Sequence, residues 1–535
     1  MNIVVIRTSG NQRYIFSSNK RQEIVGASEL ISRVDRVWVE EALREVGYRE
    51  GWRIASDPAE VLMAGAGQVT VLVKDAVLAR RLVTRVTTRA LREAPGLDVC
   101  GVVVEYGSTT TSSGKSLAKA VRDAQVELGA VRERRPGPQV RFGRLPLVEE
   151  CASNGLPAYD VVREDDEEPA RPRSAVAVRK LDAFGSAFQR LADLAPIAAA
   201  NAASEQEQAD RRKRIMRRIV DRLGLETDWV AVVHADGNAL GEFFERMRER
   251  AENQDHATYA AQLRKVSKAV DDCTKAAFRA AWQATRRELA RHDPDALVSG
   301  EPPVLPLVLG GDDLTVVCEG RAALTFTRHF LEEFEKETAK GDWTGLGGRE
   351  RLTAAAGVAI VKRNYPFHFA YELAEELLEQ EAKAEQVKKL GSAVAFAVLL
   401  DSAAADLKRL RRSYSGRSSS PYLVGRAAQA HASGIQRWAD LERRVRALNK
   451  PGPDGDGLAI PRNVAHDLRE GLCLGQEVAA SRLRVLQTRY AEGVRRQALD
   501  ELAKTADELD GLPDAMAALP FLPQAKVPAY AGEAR

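Results

Sequence analysis

The stretch Leu307-Val308-Leu309-Gly310-Gly311-Asp312-Asp313-Leu314-Thr315-Val316-Val317 decides how this chain is read. Two apolar, β-branched runs flank a Gly-Gly-Asp-Asp, the pattern of a strand–turn–strand hairpin whose tip carries charge. Gly310 and Gly311 can take backbone angles closed to other residues, which allows a tight turn and the close approach of a ligand. Asp312 and Asp313 then stand side by side, and adjacent carboxylates repel unless a hard divalent cation such as Mg²⁺ joins them. Gly and Asp are also ordinary turn residues, so a plain hairpin turn is the competing reading.

Upstream lies Trp229-Val230-Ala231-Val232-Val233-His234-Ala235-Asp236-Gly237-Asn238-Ala239-Leu240-Gly241. An apolar strand ends at Asp236, small residues follow, and a helix is expected from 240 to 250. A carboxylate at that strand end suits a metal-bound triphosphate, and the helix start favours anions. Alone, Asp236 could be a helix cap. Beside Asp312 and Asp313 it supplies the third acid of a two-metal site.

The rest of the pattern around this pair is a long helix over 257–291, a helix over 322–340, a strand over 353–361, a helix over 369–389 and a strand over 393–400. Strand, helix, hairpin, helix, strand is a ferredoxin-like or palm arrangement. Lys383, Lys388 and Lys389 end its last helix, where they either reach a triphosphate or complement the helix dipole.

The first part of the chain repeats the order. Ile3-Val4-Val5-Ile6 reads as a strand, 34–47 as a helix, and 61–73 as a hairpin with an acid-free tip at Ala64-Gly65-Ala66-Gly67. A helix over 75–94 and a strand over 99–106 complete a duplicated α+β unit without metal ligands. The expected organisation is a degenerate first palm at 1–160, a linker and helical connector at 161–225, a catalytic palm at 226–403 and a helical domain at 404–535. Within these, 163–175 reads as a charged linker and 402–530 as all-helical, with a basic, Ser-rich connector at 408–420.

Several features are decoys. GSTTTSSGKS at 107–116 lacks the first glycine of a P-loop and has the wrong spacing, so a flexible turn is expected. His292-Asp293 and His466-Asp467 have no companion histidine helix. The basic run from Arg211 to Arg222 is either a solvated face or an RNA or phosphate contact.

With 535 residues, about three domains are expected. Composition is that of a globular protein: 44% hydrophobic, 29% charged, net charge +3. Five scattered cysteines without a Cys-x-x-Cys pair disfavour disulfide scaffolds and structural zinc. No leader and no apolar run of about 18 residues is seen, so no membrane association and a cytoplasmic location are expected.

Taken together, these motifs resemble the large palm-domain subunit of type III CRISPR effector complexes, which synthesises cyclic oligoadenylates. More distantly they are similar to GGDEF diguanylate cyclases and class III nucleotide cyclases. The resemblance runs through SGNQRYIF (9–16), KRQEIVGASELI (20–31), LPLVEECASNGLPA (145–158), HADGNALGEFF (234–244), LVLGGDDLTVV (307–317), AAGVAIVKRNYPFHFAYELAEELLEQEAKA (355–384) and SSSPYLVGRA (418–427). It implies two palms plus a helical domain, with nucleotide held between the palms. It further implies an ATP-using nucleotidyltransferase of antiviral defence, making a cyclic oligo- or dinucleotide. Its metals would be Mg²⁺ or Mn²⁺ on Asp236, Asp312 and Asp313. Gly237, Asn238, Gly310, Gly311, Lys383 and Lys388 would bind nucleotide.

Implied partners are nucleoside triphosphates, guide or target RNA, other CRISPR effector subunits and a downstream effector that senses the cyclic product. Three departures stand out. No histidine–aspartate nuclease domain precedes the first palm, so no DNA cleavage is expected. The four-cysteine zinc site of many members is absent, and Asn238 stands where a second acid is common. A non-catalytic RNA- or nucleotide-binding scaffold subunit is the rival reading, and a cyclase working without guide RNA a third.

Overall fold

The computed structural model describes residues 1–45, 53–54, 56–65, 67–107, 116–163, 169–197, 204–251, 255–341, 343, 350–400, 406–413, 418–426, 435–453 and 457–523. The architecture is α+β. A first sheet is built from β1 (Asn2–Ser9), β2 (Ala59–Gly65), β3 (Gln68–Val73) and β4 (Asp98–Glu105), in the order β2-β3-β1-β4. Two short strands follow, β5 (Asp160–Val162) and β6 (Arg171–Arg173), paired with each other. A second sheet contains β7 (Trp229–Gly237), β8 (Val304–Gly310), β9 (Asp313–Glu319), β10 (Ala354–Lys362), β11 (Ala393–Val398) and β12 (Tyr422–Leu423), in the order β12-β11-β10-β7-β9-β8.

The two sheets repeat one plan. From the outer hairpin strand inward, β2-β3-β1-β4 and β8-β9-β7-β10 are the same order. Each hairpin carries a register shift at the same place, between Val61 and Met63 in one and between Pro306 and Val308 in the other. Each closes on a glycine-led pair, Gly65 with Gln68 and Gly310 with Asp313. Helices cover the sheets, so the central strands are buried on both sides; Ile3 to Ile6 and Val230 to Val233 are fully inaccessible. Such strands read as continuous apolar runs rather than alternating ones.

The long helix His256–His292 lies between the units and packs on the helix Gly320–Ala339 and on β2 and β8. Helices Arg462–Leu474, Gln476–Arg489 and Gly493–Leu502 build most of the C-terminal part.

Four expectations need correction. The helix expected from residue 34 begins at Arg21 and continues through a π-helical turn at Val34–Trp38 to Arg44. Gly26 within it serves close packing. A β-carbon on Gly26 would stand 1.8 Å from the Lys180 carbonyl oxygen of the helix Ala175–Leu194.

The segment 163–175 is not only linker: it carries β6, while 164–168 lie outside the described residues. The region 402–530 is not all-helical, because Tyr422 and Leu423 add β12 to the second sheet; the aromatic and branched residues there favour a strand. The helix over 369–389 is three pieces, Phe367–Glu376, a π-helical turn Leu377–Ala382 and Glu385–Lys388, broken at Lys383. Residues 108–115 of the P-loop-like stretch, and 414–417 of the Ser-rich connector, lie outside the described residues. Among the described residues no helix is long and apolar enough to cross a membrane.

Candidate active site

Pairing of β7 with β9, and closure of β8 onto β9, carry Asp236, Asp312 and Asp313 to one edge of the second sheet. Gly311 takes φ +59°, a conformation that glycine adopts without a steric penalty. Gly237 is required by crowding: a β-carbon there would lie 2.3 Å from Leu240 Cδ1 and 3.0 Å from Asp312 Cβ.

Two residues that the sequence reading missed hold the turn. The Gly311 N–H donates to Asp271 Oδ1 (3.1 Å), and the Thr274 hydroxyl donates to the Gly311 carbonyl (2.6 Å). Both come from one turn of the long helix, so the Gly311 peptide is gripped at both ends. Lys275 pairs with Asp271 at 2.5 Å and fixes it in turn. On the sequence, Asp271 and Thr274 are two polar residues among many in an amphipathic helix, and nothing marks them out.

The acids repel one another. Burial and the neighbouring Asp236 push the Asp312 carboxyl up to about 8 and the Asp313 carboxyl up to about 7. Lys383 Nζ contacts Asp236 Oδ2 directly and lies 3.3 Å from Glu379 Oε1. The other Asp236 oxygen accepts from the Gly237 N–H (2.9 Å). His234 Nδ1 lies 3.2 Å from Thr315 Oγ1 and 3.5 Å from Asp313 Oδ1, and burial lowers its imidazole from the ordinary range. Tyr371 and Glu375, from the helix Phe367–Glu376, complete this side.

The donor set fits a hard cation. It consists of carboxylate oxygens, two of them in groups held above their normal pKa by burial and by the Asp236 charge, and Asp313 Oδ1 is a buried oxygen with no hydrogen-bond partner. Among the described residues no three His, Cys, Asp or Glu side chains enclose a metal ion by themselves. An ion held here would therefore complete its shell with water or substrate oxygens, as Mg²⁺ commonly does.

The acids open onto a cavity of about 620 Å³ lined by both units. Gly310, Gly311, Asp236, Asp312 and Asp313 line it from the second unit; Arg7, Gly65 and Gln68 line it from the first. The hairpin tips face each other there: a β-carbon added at Gly65 would stand 3.8 Å from the Gly311 nitrogen.

Of the six expected nucleotide contacts, Gly310 and Gly311 line the cavity, whereas Gly237, Asn238, Lys383 and Lys388 do not. Asn238 is buried, and its amide donates to Thr353 Oγ1 (3.0 Å) and the Gly391 carbonyl (3.1 Å), which ties β7 to the ends of β10 and β11. Lys388 pairs with Glu385 (2.5 Å) and Glu242 (3.8 Å) away from the acids.

The decoys have structural partners. Asp293 pairs with Arg321 (3.0 Å) and Asp467 with Arg482 (2.9 Å). In the basic run, Arg222 pairs with Glu319 (2.9 Å), Arg218 donates to Ser299 Oγ (3.1 Å) and Arg217 lies over the Phe188 ring.

Residues 229–390 match the family model described as Cas10/Cmr2, second palm domain. Among solved structures, the chain is similar to the apo Csm1–Csm4 cassette, with 14% identity and a TM-score of 0.45, covering 97% of this chain and 70% of that one. It is similar to the Csm1–Csm4 subcomplex of the type III-A CRISPR-Csm interference complex at 13% identity and a TM-score of 0.47, with coverage of 97% and 70%. For Csm1 in T.onnurineus the values are 13% and 0.42, with coverage of 97% and 69%. No curated protein matches the sequence.

Proposed function

We propose that this chain, whose residues 229–390 are a Cas10/Cmr2-type second palm domain, is a metal-dependent nucleotidyltransferase of CRISPR-type defence. It would make a cyclic oligo- or dinucleotide from ATP. The observation that carries this reading is the meeting of Asp236, Asp312 and Asp313 at a cavity lined by both units. One strand end plus one hairpin tip delivers three acids to a space large enough for nucleotide.

In this reading Asp236 and Asp312 or Asp313 hold Mg²⁺ or Mn²⁺. When bound, the ions lower the pKa of a ribose hydroxyl and steady the leaving pyrophosphate in an in-line displacement at phosphorus. Lys383, placed between Asp236 and Glu379, would be the cation available to neutralise a triphosphate once an ion occupied Asp236. Gly310 and Gly311 let the phosphates approach the backbone, while Asp271 and Thr274 keep the turn from collapsing. Tyr371 and His234 wall the site and limit water. Other effector subunits and RNA would dock elsewhere on the chain.

One observation favours the rival scaffold reading. Lys383 contacts Asp236, so one of the three acids already has a cationic partner from the chain itself. A palm in that state could bind nucleotide or RNA without turnover.

The experiment is to incubate the purified protein with radiolabelled ATP and Mg²⁺ or Mn²⁺, beside an Asp312→Ala/Asp313→Ala variant. A phosphatase-resistant product from wild type alone supports the synthetase, and mass spectrometry names the ring. No product, even with RNA and partner subunits added, overturns it in favour of the scaffold. Product without RNA or partners supports a stand-alone cyclase.

A further inference from the structure

A second cavity, of about 240 Å³, lies at the far end of the second sheet from the acids. Trp229 at the start of β7 lines it, seven residues and about 23 Å of strand from Asp236. Val398 ends β11 beside it, and Leu448, Ile460, Met516 and Phe521 close it from the C-terminal part. Phe521 stands edge-on to the Trp229 ring, with centroids 5.3 Å apart, so the palm and the C-terminal part share one aromatic wall.

One side of this space is charged. Arg462, His466 and Arg469, spaced i, i+4 and i+7, lie on a single face of the helix Arg462–Leu474 and line the cavity. Among the described residues no other ionisable side chain lines it. Arg462 and His466 are exposed and Arg469 is half-buried, so the charge stands at the mouth. The acids of the same helix do not compensate it: Asp467 and Glu470 are tied to Arg482 at 2.9 and 3.4 Å. The side chains of Arg462, His466 and Arg469 make no hydrogen bond or ion pair among the described residues. The His466-Asp467 pair, a decoy for metal chemistry, is thus divided, with Asp467 on Arg482 and His466 at the cavity.

An apolar slot with uncompensated cations at its mouth is complementary to a molecule with an apolar body and an acidic head. Burial of the body drives entry, and the guanidinium forks hold the head. Volume limits the body, since at roughly 30 Å³ per water-sized group the slot holds about eight such groups. We propose that this cavity binds a small amphipathic acid, a carboxylate on an apolar body of about eight carbons, with its head on Arg462 and Arg469. The site is separate from Asp236, Asp312 and Asp313 and does not depend on the nucleotidyltransferase reading.

The test is titration calorimetry of the full chain at pH 7 with hexanoate, octanoate, 1-octanol and octylammonium. The proteins are wild type, Arg462→Gln/Arg469→Gln and Ala517→Phe, which fills the slot from the helix Leu512–Ala518. Arg484→Gln, on the neighbouring helix Gln476–Arg489, is the control. Melting temperatures establish that each variant folds; should Ala517→Phe not fold, the arginine variant decides.

Octanoate should bind wild type saturably, and roughly 10- to 15-fold more tightly than hexanoate, since each buried methylene adds about fourfold. It should bind the double-arginine variant at least ~10-fold more weakly, because a charged hydrogen bond is worth about tenfold or more. Ala517→Phe should not bind it, and Arg484→Gln should match wild type. 1-Octanol should bind more weakly than octanoate, and alike to wild type and the double-arginine variant. No saturable binding of octanoate to wild type, or equal binding by the double-arginine variant, overturns the proposal. So does binding of 1-octanol or octylammonium as tight as that of octanoate, which would identify an apolar seat for a partner protein's side chain instead.

Discussion

Gly10 and Ala239 share one backbone conformation, at φ +61° and +59°, and each opens the helix that follows the leading strand of its sheet. Only one of them is a glycine. A β-carbon in this region costs about 1–2 kcal/mol. Ala239→Gly should therefore raise stability by ~0.5–1 kcal/mol after the entropy of the unfolded chain is counted. Gly10→Ala should lower it by about 1 kcal/mol. Chemical denaturation of the two variants checks both, and a fall in stability for Ala239→Gly would contradict the assigned geometry.

Gly357 lies in β10 under the helix Phe367–Glu376, where a β-carbon would stand 1.9 Å from the Ala374 carbonyl oxygen and 2.7 Å from the Leu378 nitrogen. These are backbone atoms of a packed helix and cannot rotate aside. Gly357→Ala should cost roughly 1–3 kcal/mol or more, the usual penalty of overpacking a core. A melting temperature within a degree of wild type would rule this packing out.

The grip of Asp271 and Thr274 on Gly311 should matter more for turnover than for stability. Asp271→Ala frees the Gly311 N–H and should reduce turnover roughly 10–100-fold, the scale of a small misplacement of reacting groups. Asp271→Asn keeps an acceptor oxygen and should retain most activity. Thermal melts and steady-state rates for both variants separate positioning from folding. Equal losses in the two would mean that the negative charge, not the hydrogen bond, is what the site needs.

A pH dependence of stability is built in where the helices Gly320–Ala339 and Trp438–Leu448 meet the long helix. His329 Nε2 lies 2.9 Å from Glu288, with Glu332 at 3.7 Å, and Arg328 reaches both Glu288 (2.6 Å) and Glu442 (3.6 Å). The carboxylates outweigh burial and raise the His329 pKa above 6.5, while the His329 and Arg328 contacts hold Glu288 below 4.5. A raised histidine contributes stability that is full below about pH 6.5 and is lost as pH rises through its folded value. A lowered glutamate contributes stability present above about 4.5 and lost in acid. Melting temperature should fall from pH 6 to pH 8 in wild type, and the slope should flatten in His329→Gln. An unchanged slope would place the dependence elsewhere.

Much of the second unit was legible from residues 229–241 and 307–317, because buried strands announce themselves as unbroken apolar runs and the acids follow them directly. The duplication was legible from order alone. The matching register of the two hairpins was not, since it depends on cross-strand pairing, which one sequence does not state. Asp271 and Thr274 were hidden for a related reason: they act on a turn 37 to 40 residues away, and local patterning does not report such contacts. Asn238 was misjudged because it is adjacent to Asp236 in the chain, yet the chain turns there and sends the side chain to Thr353 and Gly391.

Strand β12 makes the second sheet depend on residues beyond its own fold. Tyr422 and Leu423 cap the open side of β11, and Asp514 secures them by accepting from the backbone N–H groups of Ser419 and Ser420, the Ser418 hydroxyl and the Tyr422 phenol. A fragment that stops at residue 403 would leave β11 with bare amide and carbonyl groups beside buried side chains such as Phe396, a template for pairing with another molecule. Excision of the palm for separate study is therefore expected to yield fibrils or precipitate. A cut placed after the helices that anchor Asp514 keeps the edge covered and the fragment monodisperse.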